Sequence, residues 1–292
     1  MSRKAASLVG EPSVITKSTK TLRLRRPRLT FREQIAAPIH DFPIRDEILY
    51  QFLPGISGLK VAEIGPGSGF TAYCLLPYVQ EMLLIDFAEA TIQDLRQKLA
   101  GRGCVKLLQS DITSPEMASL VRERYDLIFG LDVFECISDS DACLRNLWEL
   151  LDADGVLFLT FPNQPPQRGG FALCFQTTEE LAMALRLAGF SRWEISSVAL
   201  NPRAQRVFRI FHEWPARLYR RCRAAGNGPT HPQTYELTWA FQNRGRFARA
   251  KPLANCYWLV LGALLGCTGA AFRTRPLGND ALNHQLVVSA FK

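Results

Sequence analysis

The chain lacks the cysteine pairs that mark zinc ribbons and disulfide frameworks. Its eight cysteines are scattered along 292 residues, and no two of them stand as C-x-x-C. Residues 1–30 also lack the continuous apolar segment of a secretory signal. These absences argue against a small fold held by metal or disulfides, and we expect a reducing, cytoplasmic compartment.

The net charge of +8 is unevenly divided along the chain. Residues 1–32 carry nine Lys/Arg and one acid, residues 201–283 carry thirteen and three, and the remainder carries thirteen and twenty-three. An acidic core thus bears two basic additions, which indicates an anionic partner such as a phospholipid surface or a phosphorylated substrate. A solvated basic tail is the alternative interpretation.

Three glycines at every second position follow a short apolar run that contains one acid. The apolar run predicts a buried strand, and the glycines predict a tight turn into a helix. Glycine allows positive φ and lets a ligand approach where a Cβ would collide. The spacing G-x-G-x-G differs from the dinucleotide fingerprint G-x-G-x-x-G, so we expect a different cofactor. The residues of this segment are Glu63, Gly65, Pro66, Gly67 and Gly69.

Strand and helix patterns alternate from Leu59 to residue 200. This alternation predicts an α/β fold with a doubly wound, mostly parallel sheet and helices on both faces. The predicted strands are 59–64, 82–86, 104–109, 125–131, 155–161 and 193–200. The predicted helices are 69–79, 88–100, 114–123, 139–151 and 177–188.

The second predicted strand ends at Asp86, and Phe87 follows it. On such sheets, ligands bind beyond the carboxyl ends of the strands. A carboxylate there can accept hydrogen bonds from two ribose hydroxyls, and a phenyl ring can face an adenine. An ordinary helix cap is the alternative role for Asp86.

The glycine turn together with Asp86 resembles motif I of the class I S-adenosylmethionine-dependent methyltransferases. The segment from Gly130 to Ile137 is similar to their D-V-L-E-H-hydrophobic signature, although Cys136 stands where histidine is usual, so we carry over no metal. The resemblance implies S-adenosyl-L-methionine as cofactor, with backbone near Leu131 approaching its methionine portion. It further implies that Asp111 and Ile112 contact the adenine edge, while a helix cap remains open for Asp111.

The resemblance also implies a seven-stranded, Rossmann-like sheet whose last strand is antiparallel. We therefore divide the chain into a basic, disordered tail (1–30), a cofactor-binding core (31–200), a helical insertion (201–283) and a final strand (284–292). Residues 31–54 are expected to form a helical lead-in near the cofactor site.

The insertion begins with arginines interleaved with aromatic and aliphatic residues, the composition of an interfacial membrane helix. Residues 253–272 contain no charge. Three interpretations stay open for that stretch: a membrane span, an interfacial or re-entrant hairpin, and a buried lid helix over the core. We expect the insertion to form a substrate lid or a peripheral membrane contact.

The predicted activity is methyl transfer to an oxygen of an apolar or lipid-linked small-molecule acceptor. His40, His212 and His231 are the candidate bases by chemistry. A nucleic-acid methyltransferase is one alternative, supported by the basic segments but not by the end of the fourth strand, which lacks an N-P-P-Y sequence. A non-catalytic cofactor-binding scaffold is the other.

Overall fold

The computed structural model describes residues 55–162, 175, 177–214, 256–257, 260–261, 264, 267, 272–275 and 285–292. The predictions for the tail, for the lead-in and for most of the insertion lie outside these residues. The described strands are β1 Lys60–Ile64, β2 Glu81–Asp86, β3 Val105–Gln109, β4 Tyr125–Leu131, β5 Leu151–Pro162, β6 Arg192–Leu200, β7 Phe272–Arg275 and β8 Gln285–Phe291. The described α-helices are α1 Phe70–Leu75, α2 Glu89–Lys98, α3 Met117–Leu120, α4 Ser140–Leu150, α5 Thr178–Ala188 and α6 Pro202–Phe208.

The strands form one sheet in the order β3-β2-β1-β4-β5-β8-β6-β7. Strands β1 to β5 pair in parallel, and β8 inserts antiparallel between β5 and β6. The predicted doubly wound, mostly parallel sheet with an antiparallel last strand is confirmed. Strand β7, which pairs with β6, adds an eighth strand at the edge, so the predicted helical insertion also contributes to the sheet.

Both faces of the sheet are buried, because side chains of each strand alternate between two apolar clusters. In β2, for example, Met82 and Leu84 belong to the cluster that includes α1 and α2, whereas Leu83 and Ile85 belong to the cluster that includes α4 and α5. Continuous apolar strands are expected where helices cover both faces of a sheet.

Local sequence explains where the later helices begin and end. The Thr177 side chain accepts from the backbone N–H of Glu180 at the start of α5, and Gly189 ends that helix with φ 106°. Asn201 caps α6, whose first residue is Pro202. These are the residue types preferred at such positions.

Three elements differ from the predictions by more than two residues. The predicted helix 69–79 contracts to α1, which ends at Leu75. The predicted helix 114–123 contracts to α3, because its first residues form turns stabilised by Asp111 and Ser114. Strand β5 begins at Leu151 rather than 155, so it includes residues 152–154, which lie between the predicted helix and the predicted strand, and its pairing with β4 shifts register there. Among the described residues, none of the helices combines the length and hydropathy needed to cross a membrane.

Candidate functional site

The carboxyl ends of β1, β2 and β4 are neighbours at one edge of the sheet. The register pairs Ile64 with Ile85 and with Gly130. The residues that follow these three in the chain therefore lie at this edge, and they are Gly65, Asp86 and Leu131. The strand order reverses at β1, which is the position where open α/β sheets bind their ligands.

The glycine turn runs from the end of β1 into α1. All three of its glycines have positive φ: 60° at Gly65, 51° at Gly67 and 77° at Gly69. The turn is closed by the Gly69 N–H, which donates to the Pro66 carbonyl at 2.8 Å, and is attached to β2 by the Gly65 N–H, which donates to the Ile85 carbonyl at 3.0 Å. L side chains rarely adopt this backbone conformation, so the path of the turn depends on glycine.

The turn after β1 packs directly against the segment after β4. A Cβ added to Gly65 would lie 2.3 Å from Cγ2 of Val133, and one added to Gly130 would lie 2.8 Å from Cγ1 of the same valine. A heavy-atom approach this close cannot occur without movement of the valine. Two segments identified separately in the sequence therefore constrain each other.

Asp86 and Phe87 complete this part of the site. The Oδ1 atom of Asp86 accepts from the backbone N–H of Ala88 at 2.8 Å, and its Oδ2 accepts from no described residue. Burial raises the pKa of the Asp86 carboxyl, and the bond from Ala88 partly opposes that effect. The Phe87 side chain is 73% exposed. The carboxylate is thus partly desolvated with one oxygen open to a donor, beside an exposed aromatic ring.

The loop after β3 is organised by Asp111. Its Oδ1 atom accepts from both the backbone N–H and the hydroxyl of Thr113, at 2.9 and 2.8 Å. Since α3 begins only at Met117, Asp111 stabilises a local turn rather than capping that helix. Ile112 is buried beneath the turn.

Asn146, on α4, holds the same loop and was missed by sequence reasoning. Its side-chain amide donates to the carbonyls of Ile112 and Ser114, at 2.7 and 2.8 Å. These bonds join residues 34 and 32 positions apart. A polar residue on an otherwise apolar helix face was the only signal in the sequence that could have indicated it.

A second residue missed as a site residue, Asp132, follows the buried Leu131 at the end of β4. It is the one described non-glycine residue with positive φ, at 51°. Its N–H donates to Oγ1 of Thr160 at 3.0 Å, and its Oδ1 accepts from that hydroxyl at 2.8 Å. Strained conformations of this kind are associated with functional sites. Here the hydrogen bonds with Thr160, on the neighbouring strand β5, hold the strained conformation of Asp132.

The remaining predicted site residues differ in what the structure says of them. Glu63 is 3% exposed within β1, on the same face as Val61. His212 lies in a π-helical turn, Arg209–Glu213, that continues α6. His40 and His231 lie outside the described residues. Within the described part of the chain, no group of three or more His, Cys, Asp or Glu side chains is arranged to hold a metal.

Comparison with known proteins agrees with this arrangement. The family model described as a methyltransferase domain matches residues 62–157, which include the glycine turn, Asp86 and the segment after β4. The ubiquinone biosynthesis O-methyltransferase of Pseudomonas savastanoi pv. phaseolicola is 27% identical over 145 residues, 49% of this chain and 61% of that protein. The protein of the same name from Azorhizobium caulinodans is 24% identical over 183 residues, 54% of this chain and 72% of that protein.

Among solved structures, an S-adenosylmethionine-dependent methyltransferase from Aquifex aeolicus is 20% identical, with a TM-score of 0.41, over 55% of this chain and 88% of that one. The fold assignment rests on the sheet order rather than on this likeness. The chain spans 61% of the length of the Pseudomonas relatives it matches. Residues 62–157 are thus similar to a methyltransferase domain, which supports the predicted class I S-adenosylmethionine-dependent methyltransferase.

Proposed function

We propose that the chain binds S-adenosyl-L-methionine at the edge formed by β1, β2 and β4 and transfers its methyl group to an oxygen of an apolar or lipid-linked small molecule. The observation that carries the proposal is the register of these strands, which brings the glycine turn, Asp86 and Leu131 together. The glycine turn and Asp86 were predicted from the residues themselves, and Leu131 was implied by the family resemblance.

The residues at this edge fit such a cofactor. Asp86 would hold the ribose hydroxyls, because its Oδ2 is open to a donor while Oδ1 is held by Ala88. The exposed Phe87 ring would face the adenine, and Asp111 with Ile112 would border its edge. Glu63, the glycine turn (Gly65, Pro66, Gly67 and Gly69) and the backbone near Leu131 would surround the methionine portion.

The bound cofactor supplies an electrophilic methyl group on a positively charged sulfur. The chain's own contribution is alignment and the exclusion of water, which together account for much of the catalysis of such a displacement. The strands that form this edge are packed between apolar clusters on both faces of the sheet. His212 stays a candidate base for an oxygen acceptor, as do His40 and His231.

The acceptor class is supported by the printed names of the relatives, which are ubiquinone biosynthesis O-methyltransferases. Ubiquinone carries a long apolar chain, so an oxygen on an apolar molecule is the acceptor we infer. Nucleic acid is the second candidate acceptor, favoured only by the net positive charge of residues 1–32 and 201–283. A scaffold that binds the cofactor without turnover is the third candidate.

The cofactor part of the proposal is tested by calorimetric titration of the full chain with S-adenosylmethionine and S-adenosylhomocysteine. We expect saturable binding that Asp86→Ala abolishes and Asp152→Ala preserves. Asp152 is a matched control because its Oδ1 also accepts from a backbone N–H, that of Ala153 at 2.8 Å, while it lies near the start of β5, at the opposite edge of the sheet. No binding by folded wild-type protein would overturn the proposal.

The acceptor part is tested by transfer of a radiolabelled methyl group. The acceptors are phenols with and without a polyprenyl chain, and mixed RNA and DNA. We expect labelling of the prenylated phenols, lost in Asp86→Ala. Labelling of nucleic acid alone would identify the second candidate, and cofactor binding without any labelled product would favour the scaffold.

A further inference from the structure

A mixed apolar and basic surface lies on the segments that follow β6. Arginines 203, 206 and 209 are exposed along α6 and the π-helical turn that continues it. Large apolar side chains are exposed beside them: Ile210 55%, Phe211 47%, Trp214 68%, Tyr257 39% and Val260 60%. We call these eight residues the apolar-basic surface.

The apolar-basic surface is firmly attached to the core. Ala204 and Phe208, on the inner side of α6, are buried in the same cluster as Ala72 and Phe158, and Leu261 joins them. The hydroxyl of Tyr257 donates to the Phe211 carbonyl at 2.8 Å. Two segments 46 residues apart therefore meet, and their outward sides carry the exposed apolar groups.

The surface begins at the edge of the sheet that carries the cofactor site. Strand β6 runs parallel to β5, since both pair antiparallel with β8. The carboxyl end of β6 consequently lies at the same edge as those of β1, β2 and β4, and α6 starts two residues after that end. An apolar acceptor delivered at this surface would arrive on the side of the sheet where Asp86 and the glycine turn lie.

Burying these side chains in water-free surroundings would be favourable, yet the fold leaves them exposed. Contiguous exposed apolar groups of this size mark interaction sites. The interleaved arginines complement negative charge, and guanidinium groups beside apolar side chains are typical of segments that lie at the surface of an anionic bilayer. A nucleic acid would contact the arginines through its phosphates and stack its bases on the aromatic rings, but it would not account for the exposed aliphatic side chains of Ile210 and Val260.

We propose that the apolar-basic surface docks the chain onto anionic phospholipid membranes. Ile210, Phe211, Trp214 and Val260 enter the acyl boundary, and Arg203, Arg206 and Arg209 contact the phosphate groups. The proposal does not depend on methyl transfer, because vesicle binding is measured without cofactor or acceptor.

The test is cosedimentation of the full chain with phosphatidylcholine vesicles, with and without phosphatidylglycerol. We expect binding only to the vesicles that contain phosphatidylglycerol, and about a 10-fold loss of affinity in the double variant Phe211→Ser/Trp214→Ser, because two large apolar groups no longer insert. The matched control is Met183→Ser/Leu187→Ser on α5, whose side chains are 53% and 73% exposed. That variant is expected to bind like the wild type.

The charge contribution is tested with Arg206→Gln/Arg209→Gln against Arg96→Gln/Arg122→Gln, which removes two exposed arginines elsewhere. We expect the first pair to weaken binding by about 10-fold or more and the second to have little effect. Equal binding by wild type and both surface variants would show that other residues carry the membrane affinity and would overturn the proposal. So would binding to duplex DNA or RNA that depends on Arg206 and Arg209 without binding to vesicles.

Discussion

Asp86 carries its negative charge in surroundings that disfavour it. The carboxyl is partly buried, its pKa is raised by that burial, and one backbone N–H offsets only part of the effect. Because folding favours the protonated form, the ionised carboxylate lowers stability at neutral pH. This is a cost that a binding site can retain because a ligand that donates hydrogen bonds stabilises the charge.

Replacing Asp86 by Asn should therefore separate stability from binding. We expect an unchanged or higher melting temperature at pH 7, and about a 10- to 100-fold weaker affinity for S-adenosylhomocysteine because charge-assisted hydrogen bonds are lost. The stability advantage of the variant should shrink as pH falls through the raised pKa of Asp86, where the wild-type carboxyl becomes protonated. Differential scanning calorimetry across pH measures the first effect and titration calorimetry the second. A clearly lower melting temperature in Asp86→Asn would contradict this interpretation.

Gly65 is required for two reasons, its positive φ and its contact with Val133. Gly65→Ala should lower the free energy of unfolding by about 2 kcal/mol or more and abolish cofactor binding. Gly101→Ala is the matched control, since Gly101 has φ 78° with nothing within 4 Å of the added Cβ. The control should show the backbone cost alone, about 1 kcal/mol, with normal binding.

The double variant Gly65→Ala/Val133→Ala tests the contact itself. Removing the valine methyl groups eliminates the 2.3 Å approach, so part of the lost stability should return. Chemical denaturation measures the free energy of unfolding of the wild type, the two single variants and the double variant. If the two substitutions are simply additive, the packing of the two segments against each other is not what excludes a Cβ at Gly65.

Between elements, α4 acts as the support for the loop that follows β3. Apolar residues of α4, such as Leu144 and Leu147, are fully buried, and this packing fixes the position from which Asn146 reaches the loop. Two further contacts hold the loop: the Ser110 N–H donates to the Asp86 carbonyl at 3.0 Å, and the Ile112 side chain is buried. Asn146 adds two hydrogen bonds to these, so α4 helps to shape this part of the proposed site.

Asn146→Ala should loosen the loop and weaken S-adenosylhomocysteine binding by about 10-fold, since two carbonyls lose their donors. Its neighbour Arg145 is exposed on the same helix, and Arg145→Ala is the control. Titration at a temperature well below both unfolding transitions distinguishes positioning from global instability. Unchanged affinity there, despite a lower melting temperature, would make Asn146 a purely structural residue.

At the scale of the whole molecule, β8 pairs with none of the strands that carry the proposed cofactor site. Strands β1, β2 and β4 carry the site, whereas β8 lies beyond β5 and connects it to β6. Val288 on β8 is completely buried in the cluster on the α4 and α5 face. We therefore expect that stability can be changed at β8 without altering the proposed site.

Val288→Ala should lower the free energy of unfolding by about 2 kcal/mol through lost burial and a residual cavity. Cofactor affinity measured below the unfolding transition should stay at the wild-type value. Ser289→Ala, at the next and partly exposed position, is the control and should change neither quantity. A large loss of affinity in Val288→Ala would show that the two halves of the sheet are energetically coupled.

The features that could be predicted from the sequence depend on patterns of a few neighbouring residues. The apolar runs located β1 to β4 and β6 to within one residue at their starts, because strands buried on both faces need such runs. The glycine turn and Asp86 were found for the same reason, since a positive φ and a carboxylate at a strand end each depend on one residue type. The resemblance to a known family then supplied the antiparallel last strand.

Other features depend on residues that are distant in the chain. Asn146 meets the loop after β3, Thr160 holds Asp132 from 28 residues away, and Val133 packs onto Gly65. Each of these contacts depends on the packing of two elements, which no local period reports. Strand β7 escaped prediction because its partner β6 lies 72 to 78 positions away in the chain. In this pairing, Leu200 is opposite Phe272 and Ser197 is opposite Arg275.

The sequence by itself determined the class of fold and the edge of the sheet at which the glycine turn lies, because burial periodicity and glycine chemistry act over a few residues. Only the tertiary structure decided which side chains support that edge and which apolar groups after β6 remain exposed. Exposure is the clearest case: Phe208 is buried and Phe211 is half exposed, although both lie in the same basic, aromatic segment. The difference arises because the core covers one side of that segment and leaves the other to the solvent.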